Sequence, residues 1–222
     1  MAEYNVAETF VSINGEGVYA GQLAVFIRFY GCNLSCSYCD TAWAKDALRH
    51  GRTMSELNIY EYIKETGIKN VTLTGGEPLI QDGMKDLLSL LLLDEELRVE
   101  VETNGSVDLS DYQRETDALS FTMDYKLPGS GMEPSMLLSN FHCLKQKDTV
   151  KFVAGSRMDL ERAVEIIDSY ELSGRCHIYF STVFGKLSLS DTVEFMKENQ
   201  LNDVTLQLQM HKIIWGPDAV GV

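Results

Sequence analysis

Short apolar runs rich in β-branched residues recur along this 222-residue chain. They fall at 23–30 (LAVFIRFY), 70–76 (NVTLTGG), 97–105 (LRVEVETNG), 118–126 (ALSFTMDYK), 148–155 (DTVKFVAG), 176–182 (CHIYFST) and 203–209 (DVTLQLQ). Each reads as a strand. Between several of them apolar positions return about every 3.6 residues, which predicts helices over 53–67, 84–97, 157–172 and 190–201. The first opens on Thr53, with Glu56 three residues on, the signature of a capping box. Strands that alternate with helices imply right-handed βαβ units and a mostly parallel sheet. Six or seven such strands are too few to close an eight-stranded barrel. The expected fold is therefore α/β, a partial, open TIM-type barrel of about six parallel strands. The first 22 residues read as a short N-terminal hairpin or extended entry, with NGEG at 14–17 as its turn. No linker, repeat or low-complexity stretch interrupts the pattern, so one domain over 1–222 is the simplest account.

The unusual stretches all follow strands. GCNLSCSYCD comes after the first long one, TGGEP after the second, ETNG at the end of the third and DYK at the end of the fourth. In parallel α/β architectures the C-terminal strand ends are where sites gather. One shared end of the sheet is thus the expected location of the chemistry.

Composition narrows the class. Hydrophobic residues make up 45%, enough for a sizeable core. No apolar run approaches the ~20 residues of a membrane-spanning helix. The N-terminus lacks the basic and apolar segments of a secretory signal. A cytoplasmic protein without a membrane partner is expected. The formal net charge of −14 repels phosphate backbones, which disfavours nucleic acid and favours a small-molecule substrate.

Five cysteines are present, three of them packed into a Cys-x3-Cys-x2-Cys loop at Cys32, Cys36 and Cys39. Cys143 and Cys176 stand alone and read as small buried residues. Clustered thiols in a cytosolic chain suggest metal or redox chemistry. Thiolates are soft donors that suit zinc or iron–sulfur clusters. Zinc wants a fourth protein ligand, and the nearest downstream histidine, His50, lies 11 residues past Cys39. A [4Fe–4S] cubane held by three cysteines leaves one iron for an exogenous ligand. Both readings stand on the cysteines alone.

The loop, with Tyr38 before its last cysteine, resembles the signature of radical S-adenosylmethionine enzymes, and Gly75-Gly76-Glu77-Pro78 resembles that superfamily's second mark. The stretches ETFVSINGEGVYAGQLAVFIRFYGCNLSCSYCDTAWA and LQMHKIIWGPDAVGV resemble, more narrowly, the 7-carboxy-7-deazaguanine synthase family, and the likeness covers essentially the whole chain. That resemblance implies a [4Fe–4S] cluster, S-adenosylmethionine and Mg²⁺ as cofactors. It implies a 5′-deoxyadenosyl radical that abstracts hydrogen from C6 of 6-carboxy-5,6,7,8-tetrahydropterin. The pterin ring then contracts to 7-carboxy-7-deazaguanine, releasing ammonia and regenerating S-adenosylmethionine. It also implies a homodimer and an external one-electron donor of the flavodoxin or ferredoxin type.

The same resemblance distributes roles. Ile13, Asn14, Gly15 and Glu16 match a substrate-binding turn, although the family often has Gln where Asn14 stands. Arg28 matches a substrate-holding residue, and a guanidinium fork suits a carboxylate. Thr74 matches a further substrate contact, and Gln209 and His211 are expected near the pterin edge. Thr41 matches the Mg²⁺ position, where a hydroxyl is a suitable hard ligand. Tyr38, Cys39, Asp40, Gly76 and Glu77 are expected around S-adenosylmethionine, with Glu102 accepting from its ribose. The family's Ser-Pro-Lys on the fourth strand reads Asp124-Tyr125-Lys126 here, so these three are carried over as cofactor contacts. Trp215 either covers the site or packs in a core or dimer contact, and the Val222 carboxylate is a further candidate neighbour.

Two other readings are kept open. A glycyl-radical activating enzyme shares the cysteine loop, but SINGEG and CDT fit the pterin enzyme better. A zinc-binding module without catalysis explains the cysteines but not the motifs at successive strand ends.

Overall fold

A computed structural model describes residues 2–46, 51–216, 219 and 221. Nine strands form one sheet: β1 (Glu3–Ile13), β2 (Leu23–Phe29), β3 (Arg52–Ser55), β4 (Asn70–Gly75), β5 (Arg98–Thr103), β6 (Leu119–Tyr125), β7 (Thr149–Ala154), β8 (His177–Thr182) and β9 (Val204–Leu206). Their spatial order is β3-β1-β2-β4-β5-β6-β7-β8-β9. From β2 to β9 every neighbouring pair is parallel. The α/β expectation holds, with seven parallel strands in the run. Strand β1 lies antiparallel to both β2 and β3. The sheet keeps two edges, β3 and β9, so the barrel is open.

Among the described residues five α-helices accompany the strands: α1 (Glu56–Thr66), α2 (Met84–Leu91), α3 (Arg157–Ser169), α4 (Leu189–Glu198) and α5 (Met210–Ile214). The entry agrees with the sequence expectation. The first residues make one 11-residue strand that forms an antiparallel hairpin with β2. The turn at NGEG is part of a longer reversal, in which Asn14 N–H donates to the Gln22 carbonyl (2.6 Å) and Gly21 N–H to the Asn14 carbonyl (2.7 Å).

The α1 cap also shifts. Thr53 pairs with Asn5 in the β1–β3 ladder, so tertiary pairing draws 52–55 into a strand. Ser55 becomes the N-cap, accepting from Asn58 N–H (3.2 Å), while the Asn58 side chain accepts from Ser55 N–H (3.3 Å). Gly67 ends the helix at φ 70°, a left-handed conformation that glycine reaches without a Cβ penalty. Helix α2 stops at Leu91, short of the predicted 97. There the Asp94 carboxylate accepts from Glu96 N–H (3.0 Å) and binds Lys64 Nζ (2.7 Å), which fixes a turn instead.

Side chains alternate along strands, and here both faces are buried with opposite chemistry. One face carries Val71, Leu73, Val99, Val101, Leu119, Phe121, Met123, Tyr125, Val150 and Phe152, packed with Ile59, Ile63, Leu87, Leu88, Leu160 and Ile167 of the helices. Each large side chain sealed this way contributes roughly 1.5–3 kcal/mol. The other face carries Thr72, Thr74, Glu100, Glu102, Thr122, Asp124, Thr149 and Lys151. Parallel strands covered on both sides usually read as continuous apolar runs. A polar inner face therefore marks a concave lining rather than a core.

Candidate active site

At the C-terminal strand ends that inner face opens into a cavity of about 500 Å³. Its wall includes Cys32, Cys36 and Cys39, all half-buried, from the loop after β2. Burial pushes the Cys32 and Cys36 thiols up, and the neighbouring thiols push in the same direction. Leu34 N–H (3.4 Å) and Asn104 Nδ2 (3.8 Å) point at the Cys32 sulfur and act against that shift. Three crowded thiols in a partly dry wall are thus short of positive charge, which bound iron would supply. Among the described residues, no three His, Cys, Asp or Glu side chains converge tightly enough for a single metal ion. A cubane demands less convergence, because each thiolate meets a different iron.

The loop is held by close backbone packing. Gly75 has φ 147°, and a Cβ there would sit 2.3 Å from the Phe29 carbonyl oxygen. A Cβ on Gly76 would sit 2.1 Å from the Gly31 carbonyl oxygen. Two glycines in succession let the TGG turn press against the start of the cysteine loop, and Gly76 reaches the cavity wall. Tyr38, Asp40 and Thr41 line the same side. Tyr38 Oη donates to the Val153 carbonyl (3.1 Å), and Thr41 Oγ1 donates to Asp40 Oδ1 (3.1 Å).

Strand β6 supplies Asp124, and Lys126 follows directly after its end; both face the cavity. Lys126 Nζ binds Asp124 Oδ2 at 2.9 Å. Asp124 Oδ1 is buried and has no hydrogen-bond partner among the described residues. A buried acceptor without a donor costs roughly 1–3 kcal/mol unless a ligand supplies one. S-adenosylmethionine carries an ammonium and two ribose hydroxyls, so the donor chemistry fits this atom.

Ile13, Gly15 and Glu16 of the reversal, together with Arg28, Thr74 and Glu102, line the same cavity. Arg28 Nε binds Glu8 Oε1 at 2.7 Å across the β1–β2 pair. Burial raises the Glu102 pKa and nearby Glu16 adds to it, against Lys151, the Thr74 hydroxyl and Arg28. The chain's tail closes the ring. Helix α5 brings His211 and Lys212 to the wall beside Gln209, and Lys212 Nζ reaches Asp40 Oδ2 at 3.3 Å. Burial lowers the His211 pKa.

Three sequence-nominated side chains lie elsewhere. Asn14 is buried beneath the floor, where its Nδ2 donates to Glu100 Oε2 (2.6 Å). The shorter amide reaches inward to a carboxylate rather than outward to a ligand. Glu77 is fully buried as a structural brace. Its carboxylate accepts from Leu79 N–H (3.0 Å), Thr103 Oγ1 (2.9 Å) and Asn104 N–H (2.6 Å), and burial pushes its pKa up to about 7. Tyr125 falls on the odd face of β6, packs against Phe141 and Phe152, and donates to Glu133 Oε1 (3.0 Å). None of these three lines the cavity. Trp215 stands outside the wall, 44% exposed. His50 and Val222 lie outside the described residues.

Sequence reasoning passed over Lys151. Its ammonium is buried on β7, paired with Glu16 Oε2 and with Asp124 Oδ2 (3.3 Å). The signal was available: TVKFV places a cation inside an apolar strand, the same reasoning that singled out Arg28.

The Radical SAM superfamily model matches residues 26–124 of the chain. Over its full length the chain is 59% identical to the 7-carboxy-7-deazaguanine synthase of Clostridium acetobutylicum, covering 99% of each. It is 36% identical to the protein of the same name from Leptospira interrogans, covering 98% of each. The Chlorobaculum tepidum relative, also so named, is 36% identical over 100% of this chain and 98% of its own. Among solved structures, the crystal structure of QueE from Escherichia coli superposes with a TM-score of 0.69 over 93% of each chain. At 22% identity this shows the fold alone, an open α/β sheet of mostly parallel strands.

Proposed function

Since the chain belongs to the 7-carboxy-7-deazaguanine synthase family of the radical SAM superfamily, we propose that it converts 6-carboxy-5,6,7,8-tetrahydropterin into 7-carboxy-7-deazaguanine with release of ammonia. The observation that supports this most is one cavity joining a three-thiol loop to the Arg28, Thr74 and Glu102 group. When bound, the cluster and S-adenosylmethionine supply the radical that starts the reaction; the chain positions and shields. Cys32, Cys36 and Cys39 would hold the cluster, and Asn104 and Leu34 N–H stabilise the Cys32 thiolate. Asp124 Oδ1 and Lys126, with Gly76 and the Tyr38–Asp40 backbone, would orient S-adenosylmethionine.

Arg28 faces the substrate carboxylate, with Glu8 fixing the fork from its Nε side. Glu102, beside Thr74 and Arg28, belongs with the substrate group rather than with the cofactor ribose. His211 and Gln209 cover the pterin edge, and Glu16 contributes a carboxylate from the reversal. Thr41 would offer a hydroxyl ligand to Mg²⁺, a hard cation that takes oxygen donors. The single domain, the homodimer, the external one-electron donor and the cytoplasmic location belong to the same proposal. Among the described residues no helix is long and apolar enough to cross a membrane.

The test is anaerobic incubation of cluster-loaded protein with a reductant, S-adenosylmethionine and the carboxytetrahydropterin. Formation of the deazaguanine chromophore with one ammonia per product is expected. A fully loaded, reduced protein that consumes no pterin overturns the proposal.

A further inference from the structure

Lys151 forms an ion pair that spans 135 residues of sequence, from the centre of β7 to the reversal after β1. Its register partner on β6 is Asp124, and it binds that carboxylate as well. The side chains of Lys151 and Glu16 are 9% and 15% exposed, so both charges sit in a largely dry setting. There, an ion pair costs desolvation and persists only when its geometry and remaining partners compensate. Glu102, Glu16 and Asp124 all act on the Lys151 ammonium and hold it charged. It is therefore a fixed cation and not a proton donor. Without it, three carboxylates would crowd one wall, balanced locally by Lys126 and Arg28 alone.

The reversal has few other anchors to the inner face. Beneath it Asn14 binds Glu100, and at its mouth Gly15 lies against His211, whose Nδ1 would be 3.6 Å from a Cβ at that position. Glu16 itself has Lys151 as its ion partner among the described residues.

We propose that Lys151 is a positioning residue: it pins Glu16 of the substrate turn to the strand that carries Asp124, so that substrate and cofactor groups keep one fixed spacing. This rests on the functional reading above. It places no chemistry on Lys151. The lysine sets where a substrate carboxylate-bearing turn sits.

The test is a double-mutant cycle on cluster-loaded protein with S-adenosylmethionine and no reductant, reading pterin Kd by anaerobic calorimetry. Lys151→Met and Glu16→Gln should each weaken pterin binding about tenfold or more, and the double variant should be no weaker than either single, because one interaction is lost once. Lys151→Arg, which keeps the charge, should recover most of the affinity. S-adenosylmethionine Kd should stay within about twofold in Lys151→Met, since Lys126 still holds Asp124. If Lys151→Met proves too unstable to purify, Lys151→Met/Asp124→Asn removes one charge of each sign and carries the same expectation for pterin. Unchanged pterin affinity in a folded Lys151→Met, or strictly additive losses, overturns the proposal. Wild-type protein that neither binds nor converts the pterin sinks the functional reading instead, which keeps the two failures apart.

Discussion

The two faces of the central strands differ in what they ask of a residue. On the helix side, Val101, Leu119, Phe121 and Phe152 are interchangeable in kind, and only volume and shape matter. On the concave side, Glu102, Asp124, Lys126 and Lys151 are held in compensating sets, where deleting one partner strands the other in a dry wall. Both faces are buried, so burial alone does not distinguish structure from function here. Parity does: residues 100, 102, 122, 124 and 151 share the inner face, while 99, 101, 121, 123 and 125 share the outer one. Damage to the outer face should reduce stability, and damage to the inner face should reduce binding or chemistry.

The largest expected effect lies at the cysteine loop that crowns the inner face. Cys36→Ala should abolish turnover, dropping it below detection, because a cubane held by two cysteines loses its fixed orientation. Iron content and absorbance near ~400 nm should fall with it. Its thermal midpoint as apoprotein should stay close to the parent's, since the half-buried Cys36 only flanks the core. A variant that keeps both its cluster and its turnover would dissolve the contrast between the faces.

Next comes the outer face. Phe121→Ala should destabilise by about 3–5 kcal/mol, read by denaturant unfolding, as the transfer and cavity costs add. Phe121 is 1% exposed and does not line the cavity. Specific activity per folded molecule should stay within about twofold at low temperature. A selective loss of pterin affinity would show that the outer face reaches the site after all.

How far the sequence carries the reader follows from the same geometry. The seven parallel strands were legible because a strand's apolar alternation survives in one dimension. Strand β3 was not, because RTMS has no such pattern and exists through pairing with Asn5 and its neighbours. The motifs that the sequence singled out at strand ends face one cavity because such ends converge in a parallel sheet. Asn14, Glu77 and Tyr125 lie outside the cavity wall because motifs were read as blocks. A motif supplies contiguous residues, whereas a strand sends alternate ones to opposite sides and a turn can fold its acid inward. Counting parity from Asp124 would have sent Tyr125 outward, whereas the inward face of Lys151 follows from its register opposite Asp124, which one strand's sequence does not carry.

A smaller effect sharpens the inner face by depth. Glu100 sits one inward step below Glu102, sealed against Asn14 and Thr122 (2.5 Å), and burial, with Glu102 and Glu16 nearby, pushes its pKa up to about 7. In the unfolded chain it would release its proton near ~4.3. Between those values the folded state holds the extra proton, so stability falls as pH rises. The Glu100 contribution is complete below ~4.3 and is lost by about pH 7. Glu100→Gln removes this titration and can still accept from Asn14. Its stability relative to the parent should therefore rise with pH across that window, by up to about 3 kcal/mol. Parallel curves for the two proteins would mean that Glu100 is ionised throughout.

The smallest effect tests parity one residue at a time. Tyr125 and Lys126 are adjacent in sequence and on opposite faces. Tyr125→Phe deletes only the hydroxyl that meets Glu133, itself held by Arg162 Nε at 2.6 Å. The loss should be about 0.5–1.5 kcal/mol of stability, with S-adenosylmethionine affinity unchanged. Lys126→Met leaves Asp124 with Lys151 as its remaining cation and should weaken S-adenosylmethionine binding while moving the thermal midpoint little. Calorimetric Kd and thermal midpoint, measured on both variants, should therefore change in opposite proportion. If Tyr125→Phe weakened cofactor binding as Lys126→Met does, the ring's face would matter to the ligand, and the division of labour between the two sides of β6 would fail.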